Sequence, residues 1–76
     1  MATLSLNNGL STVAVAATVA VAELNDDEIR ILIDNIGLLD RDENYLKAEK
    51  AAECSDNNRE WVKRFVEAYE GEIVIG

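Results

Sequence analysis

From residue 26 onward, the chain carries its hydrophobic residues at helical spacing in three successive stretches. The first stretch predicts a helix over 26–36. Its apolar positions share one helical face: Ile29, Leu32, Ile33 and Ile36. Asn25 and Glu28 have the spacing of a capping box at its start. Gly37 predicts its end, with Leu38 folding back onto the helix in a Schellman-type stop.

The other two stretches predict a helix from about 40 to 54 and a helix over about 57–70. Asp40 and Glu43 repeat the capping-box spacing at the start of the former. The latter has the strongest apolar stripe of the chain, formed by Trp61, Val62, Phe65, Ala68 and Tyr69. We call Trp61, Phe65 and Tyr69 the aromatic ridge. Such a ridge is more often core than interface, because a small domain needs large side chains inside.

The two ends of the chain show the alternation of short strands. Residues 3–7 place Leu4 and Leu6 on one side, and 72–75 are apolar and β-branched after one acid. Pairing of these two strands would join the termini and close the domain. Asn7-Asn8-Gly9 has the composition of a turn.

Residues 11–23 fit either secondary structure. Five alanines and a capping Ser11 favour helix, whereas four valines alternating with alanine favour strand. We predict a helix, since two strands would need a reversal at residues 16–18, where no good turn residue stands. A helix here is apolar on every face, so we expect burial, partly by a second copy. Together with the aromatic ridge, the candidates for core or oligomer contacts are Val13, Ala17, Val19 and Ala20.

These elements predict a mainly α fold: one compact domain, 1–76, of three to four short helices, with the terminal strands paired as a two-stranded ribbon. Val13 to Ala22, the longest apolar run, would cover about 15 Å as a helix, half of a bilayer core of about 30 Å. No signal peptide is apparent at the start, and Cys54 is alone. We therefore expect a cytoplasmic protein with a reduced cysteine and no membrane partner.

Charge limits the partners further. Fifteen acids face seven bases, and the formal net charge is -8 with no histidine. Nucleic acid would repel such a surface, so we expect no direct nucleic-acid binding. The complementary partner is another protein with a basic surface.

The acids nearest the start of the predicted 26–36 helix are the best candidates for contacting that partner. Residues 1–28 contain four acids and no base, whereas 29–76 contain eleven acids and seven bases. The uncompensated cluster is Asp26, Asp27 and Glu28, and a second cluster is Asp40, Asp42 and Glu43. A simpler explanation for both is that acids favour the positive end of a helix dipole.

The sequence shows little that would support catalysis or the binding of a cofactor. Asp40 begins a run resembling a calcium loop, but Tyr45 replaces the required glycine and Ala51 the bidentate glutamate. No phosphate-binding glycine loop or zinc-ligand spacing occurs, and without histidine Cys54 has no activating base. We therefore expect no enzyme, metal or cofactor.

Two functions fit the sequence. The first is a non-enzymatic acidic binding module, of the kind in which small inhibitors, many of them phage-encoded, occupy the basic surface of a nucleic-acid-binding protein. This is an analogy of charge and size rather than of motif. The second is a structural subunit of a homo-oligomer, a dimer in the simplest case, or of a larger assembly.

Overall fold

The computed structural model of the protein describes residues 2–7 and 12–75, and only the backbone of residues 6, 7, 12 and 13. In chain order the elements are β1 (Ala2–Asn7), β2 (Thr12–Ala16), α1 (Ala17–Glu23), α2 (Asp26–Gly37), α3 (Glu43–Ala52), α4 (Asn58–Ala68) and β3 (Gly71–Ile75). The prediction of a mainly α fold with three to four short helices and paired terminal strands is confirmed. Asn7 of the predicted turn is the last residue of β1, while Asn8, Gly9 and the Ser11 cap lie outside the described residues.

The three strands form one mixed sheet in the order β2-β1-β3. β1 and β3 are parallel, with Thr3 opposite Glu72 and Leu6 opposite Ile75. The predicted pairing of the two ends is therefore confirmed, and β2 extends the ribbon to three strands by pairing with β1 in antiparallel register.

The helix predicted over 11–23 is wrong for Thr12–Ala16, which is β2. The alternation of this stretch suits a pleated strand, with Val15 partly buried against the core and Ala14 exposed. Helix begins at Ala17 without any reversal, because Ala16 is extended (φ -64°, ψ 126°) and leads directly into α1. The strand thus ends where the alternation gives way to the alanine-rich part.

The two ends of α2 differ in how well the sequence predicts them. The capping box is confirmed: Glu28 N donates to Asn25 Oδ1 at 2.8 Å, and Asn25 N donates to Glu28 Oε1 at 3.1 Å. The Schellman-type stop is wrong, because Gly37 has no positive φ and Leu38 is 83% exposed. Leu38 N instead donates to Asn35 O at 3.1 Å, a tighter i→i-3 turn that needs no left-handed residue.

The α3 cap lies two residues after the predicted one, and α4 begins one residue after its predicted start. Asp42 rather than Asp40 caps α3, since Asp42 Oδ1 accepts a hydrogen bond from Tyr45 N at 2.9 Å. Asn57 caps α4 by accepting from Glu60 N at 2.8 Å. α4 ends at Ala68, and the next two residues lead into β3.

The core lies between the helices and one face of the sheet. Leu4 and Ile73 are buried on that face, and Phe65 is buried at the centre of α4. Trp61 and Tyr69 stack on Phe65 with ring centroids 5.2 and 5.5 Å away. Tyr45 from α3 meets Phe65 edge to face at 5.2 Å. The aromatic ridge therefore holds α3 and α4 together.

Candidate functional site

The first acidic cluster forms the opening turn of α2, and all three of its side chains are exposed. Glu28 uses one carboxylate oxygen in the capping box, which leaves its second oxygen available. The side chain of Asp27 makes no hydrogen bond or ion pair with any other described residue. These acids lie at the positive end of the α2 dipole, so the helix itself stabilises them there.

Arg59 supplies a base that the local sequence of this cluster lacks. Its Nη2 lies 3.4 Å from Asp26 Oδ1, and its Nη1 donates to Val21 O at 2.9 Å. The Asp26 side chain is fully exposed, so water screens this ion pair. The bond to Val21 gives a second donor to a carbonyl in the last turn of α1, which also accepts from Leu24 N at 3.3 Å. No sequence spacing signals this contact, because Arg59 comes from α4.

The second acidic cluster surrounds the start of α3. All three of its residues are exposed, and Asp42 is also the cap of this helix. The Arg41 guanidinium lies 4.1 Å from the Tyr45 ring centroid, which puts a positive charge among these acids. No hydrogen bond or ion pair connects the two clusters within the part of the chain that is described.

The candidates for core or oligomer contacts divide by exposure. Ala17, Ala20 and Phe65 are buried, and Trp61 and Tyr69 are partly buried against the core. Val19 is different, because it is 60% exposed on α1. The side chain of Val13 lies outside the described part of the structure.

Val19 borders a groove of about 270 Å³ between β2, α1 and the start of α2. Four of its six lining residues are apolar, and the other two are glutamates: Val15, Val19, Ala20, Leu24, Glu23 and Glu28. We call this the α1 groove. The sequence pattern did not reveal it, because Val15 belongs to a strand and Leu24 to a connection. The sequence shows Val19 four residues before Glu23, but the exposure of Val19 is a property of the fold that the sequence does not show.

Two further clefts are lined mainly by charged and polar residues. One of about 470 Å³ lies between α2 and α4 and includes Arg30 and Arg59 beside Asp26. The other, of about 460 Å³, places Trp61 beside Glu49, Lys50 and Glu53. Cys54 is free and exposed, and it lines neither of these clefts.

Within residues 2–7 and 12–75, no three His, Cys, Asp or Glu side chains come together in a way that would hold a metal ion. Over the same residues, no helix is both long and apolar enough to cross a bilayer. The chain matches no protein-family model, and no curated protein or solved structure is significantly similar to it.

Proposed function

We propose that this protein is a non-enzymatic, cytoplasmic binding module that occupies a basic surface on another protein. The observation that carries the proposal is the combination of a net charge of -8 with exposed acids at the start of α2. Long-range attraction between such surfaces mainly raises the association rate. A partner that binds nucleic acid would have the required basic surface, and occupying that surface would inhibit it.

The contact residues in this proposal are Asp26, Asp27 and Glu28, followed by Asp40, Asp42 and Glu43. Asp27 and the second oxygen of Glu28 are the least engaged groups of the first cluster. Asp42 contributes as a charge, because its Oδ1 already accepts from Tyr45 N.

The experiment uses a partner captured from the native host and measures association rates at low and high salt. The triple variant Asp26→Asn, Asp27→Asn, Glu28→Gln removes three charges, and glutamine preserves the capping box at 28. We expect association several-fold slower than wild type at low salt and little difference at high salt, because salt screens exposed charges.

The matched control is Glu53→Gln, Glu67→Gln, Glu70→Gln, three exposed acids outside both clusters. Equal slowing by both variants would show that net charge acts without a local site. An unchanged rate for the folded triple variant would move the site away from α2. Stability is measured beside the rates, since the variant loses favourable interactions with the helix dipole.

The second candidate, a structural subunit, is favoured by a different observation. β2 is an edge strand with no charged residue and no proline, and such edges pair readily with another strand. Light scattering over a concentration series at 0.15 and 1 M salt distinguishes the two. A mass above that of one chain, unchanged at high salt, would favour the subunit.

A further inference from the structure

We infer that the α1 groove binds a basic amphipathic segment of the partner, with an aliphatic side chain in the groove and Lys or Arg against its rim. This inference rests on the proposed function and adds the chemistry of the segment. The groove, at about 270 Å³, lies below the range of about 300–1,000 Å³ typical of small-molecule pockets. Its size suits a side chain of another protein.

The apolar part of the groove explains the aliphatic anchor. Ala20 is buried at its base, and Val15 and Leu24 are partly buried beside it. Val19 is 60% exposed to water. A polar side chain would fit that exposed position equally well, yet the residue there is apolar. Covering Val19 and filling the groove would remove apolar surface from water, which favours binding.

The rim of the groove explains the positive charge. Glu23 is the last residue of α1, where the helix dipole disfavours an acid and favours a base. Arg59 already donates to the Val21 carbonyl near this helix end, so a guanidinium is accepted there within the protein itself. Glu28, the other glutamate that lines the groove, retains one carboxylate oxygen. No base lines the groove.

The same charges disfavour a second copy as the occupant. Another copy placed symmetrically would bring its own Glu23 and Glu28 against these, and like charges across an interface are costly. A basic segment removes that repulsion and pairs both glutamates. The partner is therefore expected to present leucine-like residues on one side of a helix and Lys or Arg on the other, the helix-in-groove mode.

The test uses two synthetic peptides of equal charge: a 14-residue amphipathic helix of Leu and Lys, and an oligolysine. Binding is followed by amide chemical shifts of the protein. We expect the Leu/Lys peptide to bind about tenfold more tightly than oligolysine, because it buries an aliphatic side chain. Its largest shifts should fall on Val15, Val19, Ala20 and Leu24.

Two matched pairs of variants sharpen the test. Val19→Ser should weaken the Leu/Lys peptide about tenfold, whereas Leu46→Ser, at a 53% exposed position on α3, should not. Glu23→Gln should weaken it more at low salt than Glu53→Gln does. Val19 and Leu46 are both exposed, so we expect both serine variants to fold.

Equal affinity for the two peptides, or chemical-shift changes centred on Trp61, would overturn the groove as the binding site. The charge-driven function would still stand, and the α2 triple variant would test it separately. Self-association that Val19→Ser abolishes, without any effect on peptide binding, would assign the surface to a second copy instead. Natural partner binding that is lost in the triple variant but unchanged in Val19→Ser would likewise retain the function and exclude the groove.

Discussion

At the scale of single residues, the two described glycines have opposite roles. Gly71 has φ +124°, a backbone conformation that residues with a side chain rarely adopt, whereas Gly37 ends α2 with an ordinary negative φ. A Cβ at Gly71 would meet only Tyr69, at 3.7 Å, and one at Gly37 would meet nothing within 4 Å. Neither position is crowded, so backbone conformation decides the effect of a substitution.

We predict that Gly71→Ala lowers the free energy of unfolding by about 1–3 kcal/mol, because alanine is strained at this φ. Gly37→Ala should raise the free energy of unfolding by about 0.4–1 kcal/mol. Alanine restricts the conformations of the unfolded chain and fits the helix without strain. Urea denaturation of both variants measures the difference. A stabilised Gly71→Ala would contradict the positive φ at the start of β3.

Asn44 shows a residue-scale contact that local sequence does not predict. Its Nδ2 donates to Glu70 O at 2.6 Å, and its Oδ1 accepts from Glu70 N at 3.0 Å. These two bonds fix the connection between α4 and β3 against α3, across 26 residues of sequence. Both Asn44 and Arg59 satisfy backbone groups at the ends of other elements, where no spacing rule applies.

At the scale of elements, the helix caps provide a direct comparison between neighbouring acids. The Asp42 side chain accepts a hydrogen bond from Tyr45 N, while the side chain of Asp40, two residues earlier, makes none among the described residues. We predict that Asp42→Ala destabilises the protein by about 0.5–2 kcal/mol. Asp40→Ala should leave the urea midpoint nearly unchanged. The reverse order would place the α3 cap at Asp40, as the sequence spacing alone suggests.

The predictable elements are those in which local signals agree. In α2 the cap, the apolar face and the first-turn acids all indicate the same helix, and the structure agrees within one residue. In residues 11–23 alanine content and valine alternation conflict. The strand forms because β1 offers Thr12–Ala16 a partner, a long-range contact that no local pattern contains. Propensity decides only the part that has no such partner, Ala17–Glu23.

The candidate site follows the same rule. Its acids were predictable, because helix starts and charge counts are visible in the sequence. The α1 groove was not, because it exists only where Val15, Val19 and Leu24 come together from a strand, a helix and a connection. The proximity of Arg59 to Asp26 was equally hidden, and it leaves Asp27 as the least engaged acid of its cluster.

At the scale of the whole molecule, the charged residues are confined to one part of the chain. Residues 1–22, which include β1, β2 and most of α1, contain no charged side chain, and every acid and base lies in 23–76. The parallel pairing of β1 with β3 joins the uncharged beginning of the chain to its charged remainder. The edge strand β2 and the α1 groove therefore meet near the boundary between an uncharged and an acidic region.

The basic residues do not form a separate basic surface. Three of the seven have partners within the described chain: Arg59 with Asp26, Arg64 with Glu60 at 2.6 Å, and Arg41 over the Tyr45 ring. The remaining four are spread over three helices: Arg30, Lys47, Lys50 and Lys63. A phosphate backbone needs several cations along one face to release its counterions.

We therefore predict no binding to duplex DNA or RNA at physiological salt. A labelled 20-base-pair duplex should show no change in fluorescence anisotropy at protein concentrations of tens of micromolar, where nonspecific nucleic-acid binders, with Kd of about 10⁻⁴ to 10⁻⁶ M, begin to respond. The Asp26→Asn, Asp27→Asn, Glu28→Gln variant serves as a control. Its net charge is less negative, but we expect that this change alone does not produce nucleic-acid binding. Saturable binding by the wild type would require a basic face and would reverse the sign of the expected partner surface.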